Sequence, residues 1–201
     1  MKKILLLDGA LNTSNSSYST QALNYVQTLF NNQEYEVQRI NLNQTKFAST
    51  IVSTQNSKNF WQDVESDKWI EQLKQTDLLV ISTSMINFGP TTTLKSFIDA
   101  IAVANKTFSY KYSTTNDAIG YLTNLNVLII GSQGANFGVY PWGDHIKWLK
   151  GTFNFLGVKN IYSFDILGTK MSEIAQKTPS EYVDSVKDQI DKLVLEVKNN
   201  L

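Results

Sequence analysis

Leu78-Leu79-Val80-Ile81-Ser82-Thr83-Ser84-Met85-Ile86-Asn87-Phe88-Gly89-Pro90 reads as a buried strand that stops abruptly in a polar and aromatic turn. The apolar run at 78–82 has the continuous character of a strand covered on both faces, as in parallel sheets. The chain then restarts as a helix at Thr91. In an open parallel sheet, ligands bind beyond the carboxyl ends of the strands. An amide side chain, an aromatic ring and free backbone N–H groups in one turn suit a planar, hydrogen-bonding ligand.

Working outward, 4–7, 127–131 and 160–166 repeat the pattern of the buried strand. The stretch 36–42 alternates Val37, Ile40 and Leu42 with polar residues, as expected near a sheet edge. Between these runs lie five amphipathic stripes with apolar spacing near 3.6, at 19–31, 67–75, 92–105, 141–155 and 179–198. Strands alternating with helices imply βαβ units and a parallel sheet. The expected architecture is α/β and flavodoxin-like: a three-layer sandwich with a five-stranded parallel sheet in the order 2-1-3-4-5 and helices on both faces. The dinucleotide fingerprint Gly-x-Gly-x-x-Gly does not follow Leu7. The polar region 43–58 reads as a loop with some helix, and 105–124 as an insertion before the fourth strand.

The 201 residues are enough for one sizeable core and short for two, so one domain over 1–201 is expected. The 42% hydrophobic and 18% charged content is ordinary for a globular protein, and the formal net charge is +0. No basic field is present for nucleic acid or an anionic membrane. With no cysteine, disulfides, thiolate metal sites and cysteine nucleophiles are excluded, and a reducing cytoplasm fits. The apolar start Ile4-Leu5-Leu6-Leu7 stops at Asp8, which fits a first strand better than a signal peptide. No run approaches the roughly 18 apolar residues of a membrane span.

Three turns carry the candidate chemistry, and all three follow strands. The turn after strand one holds Ser14, Ser16, Ser17, Tyr18 and Ser19 and leads into a helix. Free N–H groups and the positive dipole end of such a helix can hold a phosphate without lysine. The same residues also read as a capped helix behind a polar loop. No P-loop pattern occurs, so nucleotide triphosphate hydrolysis is disfavoured. The second turn is 85–90. The third is Gly131-Ser132-Gln133-Gly134-Ala135-Asn136-Phe137-Gly138, where glycines allow close backbone approach. Each turn alone reads equally as ordinary turn chemistry; their convergence on one sheet edge points to a site. His145 is the only histidine and reads as structural. No nucleophile elbow or metal-ligand cluster occurs. The shortage of acid–base groups suits chemistry carried by a cofactor.

At this point the chain resembles the FMN-dependent NADH-azoreductase family, also described as NADH:quinone oxidoreductases. The family's Met-Tyr-Asn-Phe turn and Leu-Lys-x-x-x-Asp helix correspond to Met85-Ile86-Asn87-Phe88 and Leu94-Lys95-Ser96-Phe97-Ile98-Asp99. Its Thr-Phe-x-Tyr segment resembles Thr107-Phe108-Ser109-Tyr110, and its Ser-Arg-Gly-Gly loop resembles Ser132-Gln133-Gly134-Ala135. Asp144-His145, Phe155-Leu156-Gly157 and Ser17-Tyr18-Ser19 complete the ordered set. The resemblance implies FMN held by Ser17, Tyr18, Ser19, Met85, Ile86, Asn87, Phe88, Ser132, Gln133 and Gly134. Phe108 and Phe155 would wall the substrate space. It further implies NADH as donor, ping-pong two-electron reduction of quinones and azo compounds, no catalytic side chain, no metal, and a cytoplasmic homodimer with sites at its interface. Ile86 stands for the family's Tyr, Gln133 for its Arg and Ala135 for its Gly. A general flavin or nitro reductase, a flavodoxin-like electron carrier and a cofactor-free binding module are the other readings the residues allow.

Overall fold

The computed structural model describes residues 1–111, 117–171 and 173–201. Its strands in chain order are β1 (Lys2–Asp8), β2 (Tyr35–Asn41), β3 (Leu78–Ser84), β4 (Phe108–Ser109), β5 (Ile119–Gly120), β6 (Asn126–Ser132) and β7 (Ile161–Ile166). The helices are α1 (Tyr18–Leu29), α2 (Phe60–Asp63), α3 (Ser66–Lys74), α4 (Thr92–Ile101), α5 (His145–Phe155) and α6 (Pro179–Asn199). The five long strands form one parallel sheet in the order β2-β1-β3-β6-β7. Counting only long strands, this is the expected 2-1-3-4-5; the short antiparallel pair β4–β5 accounts for the difference in numbering.

Side chains of the central strands alternate between two cores, as the period of two requires. Leu5, Leu7, Leu79, Ile81, Val127 and Ile129 face α2, α3, α4 and α5. Ile4, Leu6, Leu78, Val80, Leu128 and Ile130 face α1 and α6. Each fully buried Leu or Ile contributes about 1.5–3 kcal/mol relative to exposure. β2, at one edge, alternates in burial only over Tyr35–Gln38; Val37 packs toward α1 and α6 and Ile40 toward the opposite core, because their odd spacing puts them on different faces.

Local chemistry sets the helix starts. Ser17, Thr91, Asp144 and Thr178 cap α1, α4, α5 and α6, each accepting a hydrogen bond from a backbone N–H of the first turn. Thr178 and Glu181 complete a capping box beside Pro179. The stripe expected from 141 begins as helix only at His145. Gly143 N–H closes a turn onto the Tyr140 carbonyl, and Asp144 then takes the cap. The stripe over 92–105 stops as helix at Ile101, where the chain turns toward β4. Two short 3₁₀ turns, Leu42–Gln44 and Lys46–Ala48, occupy part of the 43–58 loop. The short helix α2 was not apparent from periodicity. Of the 105–124 insertion, residues 112–116 lie outside the described set.

β5 is held against the end of α5 by a glycine pair. A Cβ at Gly120 would lie 2.1 Å from the Gly157 nitrogen, and Gly157 has φ +101°. Only residues without side chains permit this approach.

Candidate functional site

Three turns meet at the carboxyl edge of the sheet, following β1, β3 and β6. In the first, Ser17 caps α1, and the N–H groups of Tyr18 and Ser19 have no acceptor within the described residues. Such first-turn donors and the helix dipole favour an anion. Asn12, Ser14 and Ser16 bond to one another through side chains, at 2.6 Å for Asn12 to Ser16 and 2.7 Å for Ser14 to Ser16. The Tyr18 hydroxyl donates to the carbonyls of Ile174 and Lys177, at 3.0 and 2.7 Å. Its ring packs edge-on against Tyr182. Tyr18 therefore offers its backbone N–H to the turn, while its hydroxyl anchors the segment before α6.

Beneath this turn sits a carboxylate that the sequence reading did not single out. Asp8 ends β1, is 2% exposed, and accepts hydrogen bonds from Ser82 Oγ at 2.6 Å and Thr20 Oγ1 at 3.1 Å. Arg39, the sole arginine, donates to it at 3.0 Å and also to Asn24 and Gln27 on α1. A buried charge needs such a partner. The signal available in the sequence was an acidic residue closing an apolar strand.

The second turn, Ile86-Asn87-Phe88-Gly89, is a two-residue hairpin. Ile86 and Gly89 exchange both backbone hydrogen bonds, at 2.9 and 3.1 Å. Asn87 and Phe88 carry φ of +45° and +72°. This is the type I′ pattern, which is ordinarily filled by Asn-Gly. Phe at the second position stores strain. The N–H groups of Asn87 and Phe88 have no acceptor in the described residues. The Phe88 ring lies 4.1 Å from Trp142 and 5.2 Å from Tyr140, between ring centroids, and Gly143 packs directly against it.

The third turn continues β6. Ser132 lies at the strand end beside Ser84, and its carbonyl accepts from Met85 N–H at 2.8 Å. Gln133 folds its amide back onto the Ala135 carbonyl at 3.0 Å. The N–H groups of Gly134 and Ala135 are unpaired in the described residues. Met85, Gln133, Ala135, Tyr140 and Asp144 border a groove of about 200 Å³. A wider cleft of about 420 Å³ is lined by Phe88, Lys95, Trp142 and Trp148.

His145 begins α5 and is 1% exposed, and neither ring nitrogen has a hydrogen-bond partner within the described residues. Burial pushes its pKa down to about 4, against the opposing pull of Asp144 and Asp165. It is thus neutral at pH 7, and its Nε2 lies over Gly131 of β6.

Ser17, Tyr18, Ser19, Met85, Ile86, Asn87, Phe88, Ser132, Gln133 and Gly134 thus come together at one edge. Phe108 and Phe155 do not join them. They pack on each other, with centroids 4.7 Å apart, at the far end of α5. α5 leaves the carboxyl edge at His145 and spans about 16 Å before reaching Phe155.

The residues present fit flavin mononucleotide: unpaired helix-end donors for a phosphate, and unpaired N–H groups in two neighbouring turns for a polar ring edge. No cluster suited to a metal ion occurs among the described residues, and no described helix is long and apolar enough to cross a membrane.

Comparison with known proteins follows the same lines. The model of the flavodoxin-like fold family matches residues 2–190. The FMN-dependent NADH:quinone oxidoreductase of Mycoplasmopsis synoviae (strain 53) is 46% identical over 197 residues, covering 96% of this chain and 98% of that one. The protein of the same name from Mycoplasma pneumoniae is 40% identical over 198 residues, covering 98% of this chain and 100% of that one. An FMN-dependent NADH-azoreductase from Bacillus anthracis, solved in complex with FMN, superimposes with a TM-score of 0.74 at 19% identity. The match covers 96% of this chain and 99% of that one, a likeness of fold.

Proposed function

The chain belongs to the flavodoxin-like fold family, and we propose that it acts as an FMN-dependent NADH:quinone oxidoreductase that also cleaves azo bonds. The observation that carries this reading is the convergence of unpaired N–H donors from three turns: Tyr18 and Ser19, Asn87 and Phe88, Gly134 and Ala135. Relatives aligned over nearly their whole length and named FMN-dependent NADH:quinone oxidoreductases support the quinone reductase part of it. FMN held by these turns would supply the redox chemistry, a two-electron transfer from NADH to the acceptor.

The chain's own part is binding, orientation and exclusion of water. The first turn of α1 holds the phosphate with N–H groups and the helix dipole. Asp8 and Arg39 keep that turn fixed from below. The strained hairpin at Asn87-Phe88 presents two adjacent N–H groups, and the turn after β6 presents three more, from Gly134, Ala135 and Asn136. Preorganised donors of this kind stabilise negative charge as it develops on a ring edge. Phe88, Tyr140 and Trp142 supply an apolar wall that sheds water. His145, neutral and buried, packs over Gly131 of β6.

The reading includes a homodimer. Phe108 and Phe155 sit a helix length from the turns of their own chain, so walls contributed by them come from a second copy. The cytoplasm, where NADH is supplied, is the matching compartment.

Steady-state kinetics with NADH and a soluble quinone test the function. A family of parallel double-reciprocal lines is expected, since donor and acceptor occupy one site in turn. Absence of turnover with FMN-loaded protein overturns the proposal.

A further inference from the structure

The turn after β6 is oriented from behind by the loop after β7. Thr169 N–H donates to the Gln133 carbonyl at 3.1 Å, Lys170 N–H to Gly134 at 3.0 Å, and Gly168 N–H to Ala135 at 2.9 Å. Thr169 Oγ1 adds a second bond to the Gln133 carbonyl, also 3.1 Å. Three consecutive carbonyls are thus turned toward one short segment. In a trans peptide the C=O of one residue and the N–H of the next point in opposite directions, and no cis bond occurs. The N–H groups of Gly134, Ala135 and Asn136 must therefore point away from the β7 side. On its other side β6 is flanked by β3, which leads into the Met85–Phe88 hairpin. All three of these N–H groups lack an acceptor among the described residues.

Lys170 locks the arrangement. Its methylenes lie 3.1–3.5 Å from where a Gly134 Cβ would stand. Gln133 contributes as well, its amide sharing the Ala135 carbonyl with Gly168.

We propose that Thr169 is a positioning residue: it fixes the peptide unit between Gln133 and Gly134, so that a row of three N–H donors is aimed at the redox ring before reduction begins. This rests on the functional reading above. Reduction adds negative charge to the ring. Donors already aimed at that edge favour the reduced form over the oxidised one, with no reorganisation at the moment of transfer. Loss of the Oγ1 bond leaves Gln133 with one donor instead of two and loosens the first member of the row.

The test is the midpoint potential of bound FMN, by dye equilibration, in wild type, Thr169→Val and Thr169→Ser, alongside FMN titration of the apo-protein. Thr169→Val keeps the shape and removes the hydroxyl; Thr169→Ser keeps the hydroxyl. Valine is expected to lower the preference for reduced over oxidised FMN by about threefold to tenfold. For a two-electron couple this is a fall of about 15–30 mV. Affinity for oxidised FMN should change less, and serine should match wild type. Thr169→Ala serves in place of valine if that variant does not fold. Equal potentials in wild type and the valine or alanine variant, or an equal fall with serine, overturn the proposal. A wild type that binds no FMN overturns the functional reading itself, and this inference with it.

Discussion

The guanidinium of Arg39 lies 3.0 Å from the carboxylate of Asp8, joining β2 to the end of β1 directly beneath the first turn of α1. Asp8 is nearly sealed from solvent, with 3% of its side chain exposed against 27% for Arg39. Removing the arginine leaves a buried carboxylate with only two hydroxyl partners. Arg39→Met is expected to cost about 2–3 kcal/mol, below the 3–5 of a fully buried pair because Arg39 is partly hydrated. Urea denaturation reads the loss. FMN affinity should fall with it, because Thr20 is shared between Asp8 and the loop carbonyl of Asn12.

A second expectation concerns acid. His145 titrates near 4 in the fold and at its ordinary 6.5 when unfolded. Below pH 6.5 the unfolded chain takes up a proton that the folded chain refuses. Stability present above pH 6.5 is therefore lost as pH falls toward 4, by up to about 3 kcal/mol, and is flat below that. His145→Phe or His145→Leu should remove this part of the pH dependence. Stability measured from pH 7 to 4 in both proteins decides the matter; identical slopes would show that His145 is not the source.

At Phe88, the backbone sits at φ +72°. Glycine normally destabilises relative to alanine by roughly 0.5–1 kcal/mol. Here the order should invert, because alanine carries a left-handed penalty of about 1–2 kcal/mol that glycine does not. Phe88→Gly is expected to be more stable than Phe88→Ala, by thermal or chemical denaturation. Both variants lose the ring contacts to Tyr140 and Trp142. Alanine equal to or better than glycine would contradict the hairpin geometry.

Gly120 meets backbone, not a flexible side chain: its would-be Cβ lies 2.1 Å from both the Gly157 nitrogen and the Leu156 carbonyl carbon. Gly120→Ala must displace β5 from the end of α5. A loss of about 1–3 kcal/mol is expected, the usual range for overpacking. It should show as a lowered Tm.

Much of this was written in local patterns. The buried runs ending at Ile81 and Gly131 stand in continuous strands, and their turns converge because all the long strands run parallel. That topology is a consequence of strand–helix alternation, so periodicity suffices to find it. Asp8 and Arg39 were not found, because their partnership spans two strands and nothing local marks it. Periodicity alone starts α5 too early, because the apolar stripe continues through Pro141 and Trp142, whereas Asp144 supplies the cap. Phe108 and Phe155 lie at the far end of α5 from the turns of their own chain, a placement that the residue types of a motif do not record. The clamp by Thr169 was likewise invisible: it acts through backbone carbonyls, which carry no sequence signature.

The most direct test of the central claim is an anaerobic titration of the FMN-reconstituted protein with NADH, followed by its visible absorption. The account predicts a yellow protein that binds FMN tightly and loses its flavin absorption with one equivalent of NADH. A chain that binds no FMN, or one whose bound FMN keeps its colour in excess NADH, would contradict it.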